Sequence, residues 1–122
     1  MTKEKLVQLK YLNREIIRDT DELVKLKSGR LADDYAVYGK LTEEEIRECE
    51  AAINEKIRRS KQLKKEITEF INGIEDSLTR QLIFYRYIKG MTWGGVAYMT
   101  GGYNSEENVR KIAERYLKNH AG

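Results

Sequence analysis

Proline is absent from the 122 residues, and cysteine occurs once, at Cys49. Most of the nine glycines fall at the ends of predicted helices. Long stretches are therefore left free of the two strongest helix breakers. A single cysteine excludes an intramolecular disulfide and any multi-cysteine metal site. No apolar run approaches the ~20 residues that span a bilayer. The start, Met1-Thr2-Lys3-Glu4-Lys5, opens onto an amphipathic stretch without the apolar core of a signal peptide. These absences predict a cytoplasmic protein with no membrane association. The groups of enzyme chemistry are missing too. No Ser/His/Asp set, phosphate loop or carboxylate pair is recognisable. The one histidine, His120, has no partner at metal-ligand spacing, and Glu43-Glu44-Glu45 read as first-turn acids favoured by a helix dipole. The expectation is no enzyme, no cofactor and no metal.

What is present is charge and helical periodicity. Hydrophobic residues make up 40% and charged residues 35% of the chain, which fits long solvated helices with narrow apolar stripes. The formal net charge of +3 is unevenly spread. Residues 1–55 hold ten Lys/Arg against thirteen Asp/Glu, and residues 56–122 hold thirteen against seven. The second half is the one a polyanion would favour.

The first helix is predicted from about Lys3 to Lys27. Leu9, Leu12, Ile16, Leu23 and Leu26 step by threes and fours, Asp19 interrupts them, and Ser28-Gly29 is a stop. Residues 28–43 are a long connection carrying Leu31, Tyr35, Val37 and Tyr38. Thr42 and Glu45 have capping-box spacing, with Leu41 and Ile46 as a hydrophobic staple. From there Ile46, Cys49, Ile53, Lys56, Ser60, Leu63, Ile67, Phe70 and Ile74 take heptad core positions. Lys56 and Ser60 are polar exceptions, and Cys49 reads as a small core residue. Two such stripes zip most simply into an antiparallel, coiled-coil-like hairpin, or pair between chains as a homodimer through the N-terminal helices. This gives a helical hairpin over 1–73 and a second domain over 74–122.

The second domain reads as three helices. Asp76 or Ser77 caps the first, which runs to about Lys89, with Leu78, Leu82, Ile83, Tyr85 and Ile88 on its apolar face. Thr92 caps a short second helix. Gly101-Gly102 supply a turn, and Asn104 or Ser105 caps the last helix, whose stripe is Val109, Ile112, Ala113, Tyr116 and Leu117. The layout is that of a helix-turn-helix, whose second helix can enter the DNA major groove.

These residues also resemble a family. Arg80-Gln81-Leu82-Ile83-Phe84-Tyr85-Arg86-Tyr87-Ile88-Lys89-Gly90-Met91-Thr92-Trp93, then Val96-Ala97, Gly102-Tyr103 and Val109-Arg110-Lys111 resemble region 4 of bacterial sigma factors. More closely, they resemble the ArpU-like regulators of Gram-positive phages and prophages, which also carry a charged helical N-terminal half. Gly94-Gly95 replace the polar residues usual before the aliphatic-Ala pair. Ala97 to Val109 is two residues longer than in typical sigma factors, which favours the prophage branch. The resemblance implies an all-α protein with a sigma region 4-like helix-turn-helix that regulates transcription through double-stranded DNA or RNA polymerase.

The candidate DNA-contact residues are Ser105, Asn108, Arg110, Lys111 and Arg115 on the exposed face of the last helix. Asn suits adenine, and Arg or Lys suits guanine or phosphate. Against them, Glu106 and Glu107 place negative charge at the same end. Trp93, Val96, Ala97 and Val109 are expected to hold the motif together. Lys56, Arg58, Arg59, Lys61, Lys64 and Lys65 form a second basic element. They read either as a solvated surface paired with acids of the first helix or as phosphate contacts. Two other readings stay open. One is a phage DNA-packaging recognition subunit of the small-terminase kind. The other is a sigma-like adaptor that docks on RNA polymerase.

Overall fold

The computed structural model describes residues 1–28 and 42–121. Helix accounts for 83% of the described residues and no strand occurs among them, so the protein is all-α. The helices are α1 (Lys3–Ser28), α2 (Glu43–Asn72), α3 (Ser77–Ile83), α4 (Trp93–Thr100) and α5 (Glu106–Asn119). A π-helical turn, Phe84–Ile88, follows α3 directly. The predicted connection over 28–43, with Leu31, Tyr35, Val37, Tyr38 and the Leu41 half of the staple, lies outside the described residues. No described helix is long and apolar enough to cross a membrane.

The chain divides into two compact units, one of residues 11–61 and one of residues 1–10 with 62–122. The second unit groups differently from a boundary at 73. Leu6 and Leu9 of α1 and Ile67 and Ile71 of α2 are buried in one cluster with Leu82, Ile83, Val96, Val109, Ala113 and Leu117. The heptad reading omitted Leu6 and Ile71. It assumed a single partner for each long helix, and here α2 is covered on a wider face.

In the unit of residues 11–61, Leu23 and Ile53 are buried, and Leu12, Ile16, Leu26, Ile46 and Ile57 are half-buried. The polar breaks in the two stripes meet one another. Lys56 Nζ lies 2.5 Å from Asp19 Oδ2 and 2.7 Å from Glu15 Oε1. Ser60 Oγ donates to Asn13 Oδ1, and Lys27 Nζ sits 2.6 Å from Glu50 Oε1. Numbers rise along α1 as they fall along α2. Thr42 caps α2, its Oγ1 accepting from the Glu45 amide at 3.1 Å. Cys49 is exposed, contrary to its place on the heptad. The Lys27–Glu50 pair marks a level one residue from the end of α1, so little facing helix is left to cover a side chain there.

The Lys56 hydrogen bond, more than any other influence, holds the Asp19 carboxyl below its ordinary 3.8, and Asp19 in turn raises Lys56. Glu55 is lowered to about 2, chiefly by its hydrogen bond from Arg58. A carboxyl depressed by folding stabilises above its ordinary value, and that contribution disappears as pH falls through the depressed one. Thermal melts followed by circular dichroism are therefore expected to lose midpoint between pH 5 and pH 2. An Asp19→Asn protein should show a loss shallower by roughly 2–4 °C, because exposed pairs are weak. Equal losses in the two proteins would exclude Asp19 as a contributor.

In the unit of residues 1–10 and 62–122, Asp76 caps α3. Its Oδ2 accepts from the Thr79 amide at 2.9 Å and from the Thr79 hydroxyl at 2.7 Å. Those bonds hold the Asp76 carboxyl below its ordinary range. The sequence reading continues this helix in one register to Lys89, but the structure changes pitch at Phe84. The Lys89 amide donates to the Phe84 carbonyl at 3.1 Å, five residues back, which is the wider π spacing. The inward position then falls to Tyr87, while Tyr85 and Ile88 are half-buried. Burial pushes the Tyr87 hydroxyl upward. Gly90, at φ 69°, ends the segment.

Candidate nucleic-acid interface

The α4–turn–α5 segment is built from caps and a short left-handed turn. Thr92 Oγ1 accepts from the Gly95 amide at 3.1 Å and starts α4. Ser105 Oγ accepts from the Asn108 amide at 3.1 Å and starts α5. Between them Gly101, Gly102 and Tyr103 take positive φ values of 62°, 67° and 63°. Glycine adopts this region freely, whereas for a tyrosine it is strained. The side chains of Asn104 and Asn108 brace the turn. Asn104 Nδ2 donates to the Gly101 carbonyl at 2.9 Å, and Asn108 Nδ2 donates to Asn104 Oδ1 at 3.2 Å.

Beneath the segment, α5 buries Val109, Ala113 and Leu117, and α4 buries Val96. Ala97 and Trp93 are half-buried against the same cluster. Trp93 meets Tyr87 edge-on, with ring centroids 6.4 Å apart, and the Arg86 guanidinium lies 4.9 Å from the indole centre. Arg86 Nη1 also donates to the Met91 carbonyl at 2.9 Å, and Arg80 Nη1 donates to the Ile74 carbonyl at 2.8 Å. These two arginines fasten the connections on either side of α3 and the π turn. Sequence reasoning quoted both within the family pattern and gave neither a task. Their placement before loops whose carbonyls need donors was the available signal.

The residues proposed for DNA lie in water. Ser105, Asn108, Arg110, Lys111 and Arg115 are all exposed. Ser105 is occupied as the cap. Lys111 Nζ is 3.0 Å from Glu107 Oε1, an exposed i,i+4 pair. Arg110 and Arg115 make no ion pair among the described residues. Glu106 and Glu107 occupy the first turn of α5, where carboxylates complement the positive end of the helix dipole. Three large apolar side chains nearby were not predicted to be exposed. Tyr98 is 86%, Met99 50% and Tyr103 108% exposed.

The second basic element is dispersed. Lys56 is committed to Asp19 and Glu15, while Arg58 and Arg59 pair with Glu55 of their own helix at 2.7 and 3.3 Å. Lys61, Lys64 and Lys65 are exposed and make no ion pair among the described residues. Lys56, Arg58, Arg59 and Lys61 belong to one compact unit, and Lys64 and Lys65 to the other. His120 is exposed, its ring stacked on Tyr116 with centroids 3.9 Å apart. Among the described residues no group of three or more His, Cys, Asp or Glu side chains is arranged to hold a metal.

No protein-family model, curated protein or solved structure matches this chain. The site is therefore argued from its chemistry. It offers one helix with a braced, capped start, a buried apolar back and an outward row of amide and guanidinium groups.

Proposed function

We propose that the chain is a phage- or prophage-type transcriptional regulator. In this reading α4, its Gly-rich turn and α5 act as a sigma region 4-like helix-turn-helix on double-stranded DNA, and α1 and α2 form a helical hairpin beside it. One observation carries the reading. On α5, Asn108, Arg110, Lys111 and Arg115 are exposed while Val109, Ala113 and Leu117 are buried. A recognition helix needs this division, with a rigid back and a polar front. Asn108 keeps the groups that adenine would use. After its bond to Asn104 it retains one Nδ2 hydrogen and the lone pairs of Oδ1, enough for a bidentate contact to N7 and N6. Arg110 is available for guanine or phosphate, and Lys111 would exchange Glu107 for phosphate.

The test is fluorescence anisotropy with duplex DNA from a randomised genomic library, at low and moderate salt. Binding at micromolar protein that weakens with added salt is the expected result, because each neutralised phosphate releases counterions. Salt-independent binding, or none, would refute the reading.

A second reading is supported by the apolar residues Tyr98, Met99 and Tyr103, together with Glu106 and Glu107. They suit a protein partner with basic and apolar groups, as in an adaptor docking on RNA polymerase. Contiguous exposed apolar side chains rimmed by charge are the mark of protein–protein contact. This reading predicts co-purification with polymerase and no direct affinity for DNA.

A further inference from the structure

We propose that two copies of this chain pair through the outward face of α1, running antiparallel, with Arg14 of each copy set against Asp21 of the other. The evidence lies within the unit of residues 11–61. Ile17 is 69% and Val24 56% exposed, an unusual use of β-branched apolar side chains on a charged helix. They are seven residues apart and so share one face. The stripe Leu9, Leu12, Ile16, Leu23 and Leu26 is a different one, already half-buried or buried. Arg14 and Asp21 fall between and beside the two exposed residues at three- and four-residue steps, which completes a second stripe: Arg14, Ile17, Asp21, Val24.

The order of charges selects the occupant. Along this stretch Arg14 and Arg18 come first, and Asp19, Asp21 and Glu22 follow. Parallel pairing would set Arg14 on Arg14 and Asp21 on Asp21. Antiparallel pairing about an axis between Ile17 and Arg18 brings each Arg14 to the second copy's Asp21, and the contact forms twice by symmetry. The same axis places Ile17 beside the second copy's Ile17. Arg14 is exposed and makes no ion pair among the described residues. Asp21 is bridged only along its own helix, to Lys25 at 2.8 Å, in a pair that leaves carboxylate lone pairs open. The negative half of the stripe disfavours a polyanion here. Self-complementarity favours a second copy over an unrelated protein.

The experiment is sedimentation equilibrium of the full chain. Loading from about 10 µM to about 1 mM spans the affinities of small interfaces. The fitted mass is expected to rise from the 14.3 kDa of one chain toward twice that value. Ile17→Asp should weaken the dimer at least tenfold. Arg14→Asp and Asp21→Arg should each weaken it, and the doubly swapped R14D/D21R protein should regain wild-type affinity. All four positions are exposed, and circular dichroism confirms that each variant keeps its helix content. The proposal is overturned by a single-chain mass throughout the range, by a higher oligomer, by single swaps without effect, or by a double swap as weak as the singles. The assay contains no DNA, so its outcome is separate from that of the DNA-binding test.

Discussion

A protein carrying both Arg110→Glu and Lys111→Glu is expected to lose at least about 30-fold in DNA affinity, since each basic contact at a base edge or phosphate contributes roughly 1–3 kcal/mol. Both residues are exposed, so the fold has no stake in them beyond the Lys111–Glu107 pair. Turning that pair into Glu–Glu at i,i+4 costs only roughly 0.2–0.5 kcal/mol. The measurement is anisotropy on the tightest duplex found for the wild type, with helix content and melting midpoint as controls. The salt slope should also flatten, because fewer counterions are released. Unchanged affinity with an unchanged fold would remove α5 as the reader of DNA. If RNA polymerase were meanwhile captured equally by both proteins, the adaptor reading would take its place. Glu106 and Glu107 sharpen the comparison. They already place negative charge at the start of α5, so two further acids leave little basic character on that face.

Leu82→Ala is expected to give the largest loss of stability. Leu82 is fully buried, in the cluster that joins α1, α2, α3, α4 and α5. Truncating a leucine in such a site costs about 2–5 kcal/mol, the spread reflecting how far the cavity can collapse. Total stabilities are about 5–15 kcal/mol, so the melting midpoint should fall by on the order of 10 °C. Leu82→Met, which keeps the volume, should cost less than about 1.5 kcal/mol. A midpoint within one or two degrees of wild type for Leu82→Ala would show that the cluster is not packed as described.

The all-helical class was legible because each helix announces its ends locally. Thr42, Asp76, Thr92 and Ser105 are capping residues in the sequence and cap in the structure. The α5 stripe was equally plain, since Val109, Ala113 and Leu117 are all buried. What escaped was whatever depends on a distant partner. Asp19, Lys56 and Ser60 looked like three separate flaws in two stripes. In the fold Asp19 and Lys56 satisfy each other across 37 residues, and Ser60 finds Asn13 across 47. A one-dimensional pattern records the polarity of each residue but not its mate. Cys49 failed for a related reason, because a heptad position promises burial only where the facing helix continues. At the candidate site, the row Asn108, Arg110, Lys111 and Arg115 followed from periodicity alone. The exposure of Tyr98, Met99 and Tyr103 did not, because aromatic residues in a short helix and turn read equally well as core.

The π turn at Phe84–Ile88 makes the architecture sensitive to residue count as well as residue type. Five residues span what would otherwise be a shorter stretch of helix, and the chain leaves the turn with Tyr87 inward and Arg86 reaching the Met91 carbonyl. Deleting one residue there would restore ordinary pitch at almost no local cost. It would also rotate everything that follows by about 100° relative to α3. Substitutions in this turn are therefore local repairs, whereas a single-codon deletion re-aims α4 and α5 together.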